Sequence, residues 1–362
     1  MSTSRTLALS CVVLAALSAC AAVAQEPEQV AEVTVEGMRN ADLKPYRTLW
    51  AALDAFDEHR SLAPKAELRG RFWRRNAVFG EQERWDGVTL RLAGNEHSLP
   101  VPVAVDGTFV LPRSQAAYDD DADLVLNQKK STVGYDAQVR TPGLAPNVRR
   151  LGDLRLECEV KIAVAKKEIG FAQRAFFNTV FLGGDWCSSK RIKVAAFLGD
   201  WPLSAAIVDH GVRQPFRSDG YKLFAPVSDK SLSDDALIEF EFWSQASMER
   251  KQQFLATRPI ALMTSADNWK EGAPFREQEK NRYSAVVDLK RGKWKFRLES
   301  GDGWLAFGGA PRDLVVSPGA DLALKYHGER LVLDVDQPGA YAFSLDLRDP
   351  DHPRLAIRRA ES

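Results

Sequence analysis

Of the 362 residues, only four are cysteine and five are histidine, and these scarcities exclude a good deal. No CxxC occurs and the histidines stand apart from the cysteines and from one another, so no zinc-type ligand set is legible and no metal is expected. Excess charge is missing as well. Lys+Arg and Asp+Glu both number 49, so the broad electrostatic footprint that draws a chain to nucleic acid or to an anionic membrane surface is not expected. No apolar run approaches the roughly 20 residues that span a bilayer. Catalytic signatures are lacking too: there is no G-x-S-x-G elbow, no H-E-x-x-H, no phosphate-cradling G-x-x-x-x-G-K-[ST] and no G-x-G-x-x-G. Asp and Glu are too numerous for sequence to single out an acid/base pair, because such a pair is defined by distance in space. These absences predict a non-catalytic protein without a cofactor.

What is present begins with an export leader. Arg5 precedes an apolar run from Leu7 to Leu17 and then small residues, the pattern of a bacterial secretory signal over residues 1–24. Two cleavage chemistries compete at its end. Leu17-Ser-Ala-Cys20 resembles a lipoprotein box, which would make Cys20 an acylated N-terminus, and Ala21 behind it resembles the pattern of outer-membrane lipoproteins. Ala22-Val-Ala24 instead fits ordinary signal peptidase. Either route predicts the periplasm, with membrane contact only through a lipid anchor.

Both routes also leave Cys158 and Cys187 in the folded chain. In an oxidising compartment a disulfide between them would be worth about 3.5 kcal/mol by chain-entropy arithmetic for their 29-residue separation. Two buried free thiols are the alternative.

The length implies two or three domains, and a hydrophobic content of 45% gives each a core. With 24 Gly and 18 Pro spread along the chain and no low-complexity tract, neither collagen-like repetition nor long disorder is expected. Residues 25–65 read as a polar tether, Glu26 to Ala41, followed by an amphipathic helix on which Tyr46, Leu49, Trp50, Leu53 and Phe56 recur at three- and four-residue steps. That stripe suits packing on a neighbouring domain, or else a partner-binding helix.

Residues 66–150 read as a β-sandwich, with strands at Val88–Leu92, Val101–Val105 and Thr108–Leu111 and an Asp106-Gly107 turn. Its AVDGTFVLP stretch is similar to small β-sandwiches appended to carboxypeptidases and many envelope proteins. The acidic run Asp119-Asp-Asp-Ala-Asp123 offers calcium-type oxygens but lacks the Gly and distal Glu of an EF-hand loop, so it reads as a solvated turn.

Residues 151–254 read as a second β-rich domain. Strict alternation from Leu154 to Val164 predicts a strand there, followed by further strands at Ile192–Phe197, Leu203–Asp209, Tyr221–Val227 and Ala236–Phe242, with an inserted helix over 167–181. Ser247 to Thr257 reads as a polar linker. From 255 to 362 short strand-like runs separated by turn signals argue a sandwich. The fold class expected is therefore mainly β: several sandwiches, a short N-terminal helix and one inserted helix.

The last module carries the most specific signal. Asn268-Trp269, Gly292-Lys-Trp294-Lys-Phe296 and Gly301-Asp-Gly-Trp304 together resemble immunoglobulin-like early-set domains of the glycogen- and starch-binding kind, such as those of pullulanases and starch-binding outer-membrane lipoproteins. The resemblance implies an early-set sandwich that binds an α-glucan-like glycan. Trp269, Trp294 and Trp304 would stack on sugar faces, while Asn268 and Lys295 bond hydroxyls. A pyranose has an apolar C–H face and a hydroxyl rim, so a flat ring beside amide and ammonium donors suits it. A glycan platform of this kind predicts two or more exposed, coplanar Trp rings. The rival reading makes these rings core, with Trp294 on the same strand face as Phe296, and the chain an assembly subunit for an envelope protein partner.

Overall fold

In the first part of the chain, period-2 burial builds two small sheets around one core. Leu90 and Leu92, and likewise Leu124 and Leu126, turn inward while their neighbours face outward. Ala41–Pro45, Asp123–Lys129, Leu90–Ala93 and Ser98–Val101 pair antiparallel in that order. A three-stranded sheet runs Thr108–Phe109, Glu67–Arg74, Val133–Arg140. Phe72, Trp85, Phe109 and Val133 fill the core with those leucines. The Asp106-Gly107 turn forms as expected: Gly107 has a positive φ of 77°, and Asp106 accepts from the backbone and hydroxyl of Thr108.

The computed structural model describes residues 41–74, 84–170, 185–191, 193–216, 222–265, 268–303 and 305–360. The leader, Cys20, most of the tether, Trp304 and the 171–181 part of the expected inserted helix lie outside them.

Helix α1, Tyr46–Glu58, matches the expected stripe and serves packing. Tyr46 and Leu49 enter the first core, and Ala52 and Phe56 enter a second cluster with Ala63, Val139, Leu156 and Val160. The acidic run proves structural at Asp120, whose carboxylate accepts from the backbone N–H of Glu96 and of His97, both at 2.9 Å. A five-residue helix α2, Gln115–Asp119, leads into it.

The largest correction concerns residues 151–168. The expected strand Leu154–Val164 is instead part of helix α3, Leu151–Glu168. Two-residue steps advance a helix by about 200°, so alternate apolar residues fall on opposite sides. Leu151, Leu154, Cys158 and Ile162 join one core, while Leu156 and Val160 join another. The first of these cores is closed by Ile238, Phe240 and Phe242 from a sheet ordered Val212–Phe216, Pro202–Asp209, Leu237–Phe242, Val148–Arg150. A two-stranded ladder pairs Ala196–Phe197 with Lys222–Leu223. Cys158 and Cys187 are disulfide-bonded, with Cα atoms 6.0 Å apart.

A second correction falls on the expected linker. Ser247 caps helix α4, Met248–Ala256, by accepting from the Arg250 N–H at 3.2 Å. Phe254 and Leu255 of this helix are buried in the core of the last module.

That module is a two-sheet sandwich. One sheet centres on Ile260–Thr264, Gly292–Ser300 and Leu331–Val335, with Leu314–Val316 parallel to the last; the other runs Arg276–Glu279, Arg282–Leu289, Gly339–Asp346, Arg354–Arg359, Asp321–Ala323. Leu262, Phe296, Leu298 and Leu333 of the first sheet meet Tyr341, Phe343, Leu355 and Ile357 of the second. The rings of Phe296 and Phe343 meet edge to face at 5.4 Å.

Candidate functional site

The pleat of Gly292–Ser300 sorts the residues singled out by sequence. Phe296 and Leu298 point into the core, so Lys295 and Arg297 lie on the outer face of the sheet. Trp294 shares the inward side: it is half-buried against the core and its indole N–H donates to the Lys290 carbonyl at 2.7 Å. Trp294 and Lys295 are thus on opposite faces and do not form one site.

Trp269 belongs to the outer face. Its turn is fixed from both sides, since the Trp269 N–H donates to the Thr264 carbonyl at 3.0 Å and the Ser265 hydroxyl accepts from the Lys295 N–H at 3.0 Å. Asn268 and Trp269 both have positive φ, 59° and 63°. Asn tolerates that conformation, but for a bulky residue such as Trp it is unusual, and strain of this sort gathers where a side chain is held for a purpose.

The half-buried Trp269 ring has the Arg297 guanidinium 5.8 Å and the Arg330 guanidinium 5.9 Å from its centroid. Lys295 extends its ammonium to Asp313 at 3.3 Å. This face therefore holds an aromatic plane with two guanidiniums beside it and the Lys295 ammonium on the same side of the sheet, and Asn268, the neighbour of Trp269 in the turn, is exposed. Chemically it offers one stacking surface and a rim rich in donors.

The third aromatic turn is elsewhere. Ser300 pairs with Ile260 and Phe296 with Thr264, so the turn after Ser300 lies at the far end of that ladder from Trp269, about 13 Å along the strand. Its backbone is held by Ser300, whose hydroxyl donates to Asp302 at 2.6 Å and accepts from the Leu305 N–H at 2.8 Å. The structure brings together Asn268, Trp269 and Lys295, and leaves Trp294 and the Gly301–Gly303 turn apart from them. Trp269 and Trp294 do not form the coplanar pair expected of a platform.

Sequence reasoning missed the two arginines. Arg297 was legible, as the outward continuation of Lys293 and Lys295, whereas Arg330 reaches Trp269 only through strand pairing. Among the described residues no group of three or more His, Cys, Asp or Glu converges as a metal site.

No protein-family profile matches the chain, and no curated protein matches it. A solved structure described as "Ligand induced structure of AmyP-SBD" is similar over 29% of this chain and 73% of its own, at 23% identity and a TM-score of 0.25. A likeness of that size bears on neither activity nor ligand.

Proposed function

We propose that this is an exported, non-catalytic envelope protein that binds an α-glucan-like glycan through the outer face of its last sandwich. The observation that carries this reading is the strained Trp269, set on an outer sheet face with the Arg297 and Arg330 guanidiniums beside its ring and Lys295 on the strand against its turn. A sugar would lay its C–H face on the indole and take hydroxyl hydrogen bonds from the amide and cationic donors. Export rests on the leader. The anchor, if Cys20 is acylated, would tether the protein to the outer membrane.

Glycan-array binding and affinity electrophoresis with α-glucans test this reading. Trp269→Ala is expected to weaken binding about tenfold or more while the fold is retained, as the loss of a stacking surface implies. A folded wild type that ignores every α-glucan overturns the reading.

One observation favours the assembly reading as a second. Leu314 and Val315 are 37% and 52% exposed on the Leu314–Val316 strand, adjoining Val332 on the same sheet. Capture of a defined envelope partner that survives Trp269→Ala but is lost in Val315→Glu would support it, and equal capture by both variants would sink it.

A further inference from the structure

The cations on the Trp269 face are not equivalent. Arg297 is matched by Glu299 at 2.5 Å, and Lys295 by Asp313 at 3.3 Å. Arg312 stands 4.0 Å from Asp313 and 3.9 Å from Glu329. Among the described residues, no carboxylate, carbonyl or hydroxyl accepts from the Arg330 guanidinium, whose neighbour is the Trp269 ring with its centroid 5.9 Å away.

This guanidinium is also open to solvent. Arg330 is half-buried, yet none of its side-chain nitrogens is among the sealed, unpartnered atoms, whereas Arg297 Nε is. Partial burial strips water from the charge, and nothing in the protein replaces it.

Strand register sharpens the imbalance. Leu331 pairs with Phe296, and both point into the core, so Arg330 and Arg297 stand side by side one step further along the ladder, on the outer face. Like charges opposite each other on a sheet repel, and Glu299 answers only one of them. Nor is Arg330 spent on the indole. The Arg258–Phe254 stack of the same module closes to 3.7 Å, so at 5.9 Å Arg330 stands beside its ring rather than flat against it. Its planar fork can give two N–H groups at once to a carboxylate or phosphate, which an ammonium cannot do.

We propose that the Trp269 face selects an acidic glycan, one whose sugar on the indole carries an exocyclic carboxylate or phosphate that Arg330 binds. The inference rests on the glycan reading and narrows its ligand class. A neutral sugar would use the hydroxyl-binding donors already present but would give the unmatched guanidinium no counter-charge. The ligand chemistry is an oxyanion beside a stacked pyranose, and its two sources are a uronate and a phosphate ester.

Calorimetric titrations of the full chain with maltoheptaose, C6-oxidised maltoheptaose and C6-phosphorylated maltoheptaose test it. At least one acidic ligand is expected to bind about tenfold or more tightly than the neutral one, the worth of a charge-assisted hydrogen bond, and the tighter acid names the source. Arg330→Gln should erase that preference and leave maltoheptaose affinity within about twofold. Lys293→Gln, which removes a charge from the same outer face four residues before Arg297, should keep the preference. Arg330→Lys serves if the glutamine variant does not fold, as judged by circular dichroism; it keeps the charge but loses the fork, so the preference should fall by about threefold or more. Equal affinity for all three ligands in the wild type overturns the proposal and leaves the glycan reading standing. A preference that survives Arg330→Gln, or that falls equally in Lys293→Gln, is general electrostatic attraction and overturns it as well. Binding of none of the three removes the glycan reading itself, and this inference with it.

Discussion

The α3 region and the C-terminal sandwich solve the problem of burial in opposite ways. Around α3 the interior contains charge: Arg149, Asp153, Arg155 and Glu157 are all less than a tenth exposed. In the two facing sheets of the sandwich and their turns the buried polar residues among those described are Thr264, Asn281 and Ser300, none of them charged; the module's buried charge, Lys251, sits on α4 and pairs with Asp351. The cause is geometric. A sheet packed on one side needs one apolar face, whereas α3 is enclosed by two cores and must bury the residues between its two apolar stripes as well.

Most of the polar atoms of these enclosed residues are matched, the Arg149 Nε being an exception. Asp153 accepts from the Thr141 N–H and hydroxyl, both at 2.7 Å. Arg155 donates to the Val227 and Leu232 carbonyls at 3.1 Å and to Asp234. Glu157 accepts from Arg149 at 2.7 Å, from the Val139 N–H at 3.1 Å and from Lys161 at 2.8 Å. Such a network specifies one packing and is unforgiving of loss. An apolar core yields gradually, whereas a charge deprived of its partner has nowhere to go.

The sharpest way to break the comparison is Glu157→Ala. It leaves the buried Arg149 without its carboxylate and removes one of the two that hold Lys161, so a loss of about 3–5 kcal/mol in urea unfolding is expected. A loss under about 1 kcal/mol would mean the network is dispensable. Acid should show the same site. Burial alone would raise the Glu157 carboxyl, but the charges of Lys161 and Arg149, with hydrogen bonds from Lys161 and Val139, outweigh it and hold it below the ordinary 4.5. A depressed carboxyl stabilises above its unfolded value and loses that contribution as the pH falls below it. Stability from this group is therefore lost below about pH 4.5, and Glu157→Gln should flatten that acid limb. Asp136 has the opposite sign, since burial wins over Lys161 and raises it above 3.8.

Next in size is the disulfide, which pins α3 to the segment at Cys187. Replacing both Cys158 and Cys187 with Ser should cost about 2–4 kcal/mol, seen as a lower urea midpoint that reductant no longer shifts. Reductant sensitivity persisting in the double variant would contradict this bond as its source.

These two regions also differ in how much of them was legible. In the sandwich, Trp294 and Phe296 and their alternation with Lys293, Lys295 and Arg297 correctly announced a strand, because one-sided burial leaves a period of two. In α3 the same period misled. Leu154, Leu156, Cys158, Val160 and Ile162 alternate as a strand would, yet they are two helical stripes on opposite sides, and nothing local says that a second core lies behind the first. The polar segment at Ser247 misled for a related reason: its capping serine and the Phe254-Leu255 pair were present, but its charged face concealed a helix docked by Lys251 on Asp351 at 2.7 Å. At the candidate site, residues adjacent in sequence were legible as a group and those gathered by pairing were not. Asn268, Trp269 and Lys295 are held by one turn and its neighbouring strand, whereas Arg330 comes from just before Leu331–Val335, a segment brought there by its pairing with Gly292–Ser300.

The smallest effect belongs to the sandwich surface and completes the contrast. Arg354 meets Asp321 at 3.0 Å with side chains 53% and 61% exposed, so solvent screens the pair and both side chains pay entropy to hold it. Arg354→Ala should change the urea midpoint by less than about 1 kcal/mol, and its effect should shrink further in high salt. At 3.0 Å against 2.7 Å for Arg149–Glu157, both are hydrogen-bonded ion pairs, so contact geometry alone would rank them close together. What separates them is the medium: Glu157 has exchanged water for protein on every side, and Asp321 has not. If Arg354→Ala proved as damaging as Glu157→Ala, burial would not be the variable that ranks these ion pairs, and the division between a charged interior and a charged exterior would lose its energetic meaning.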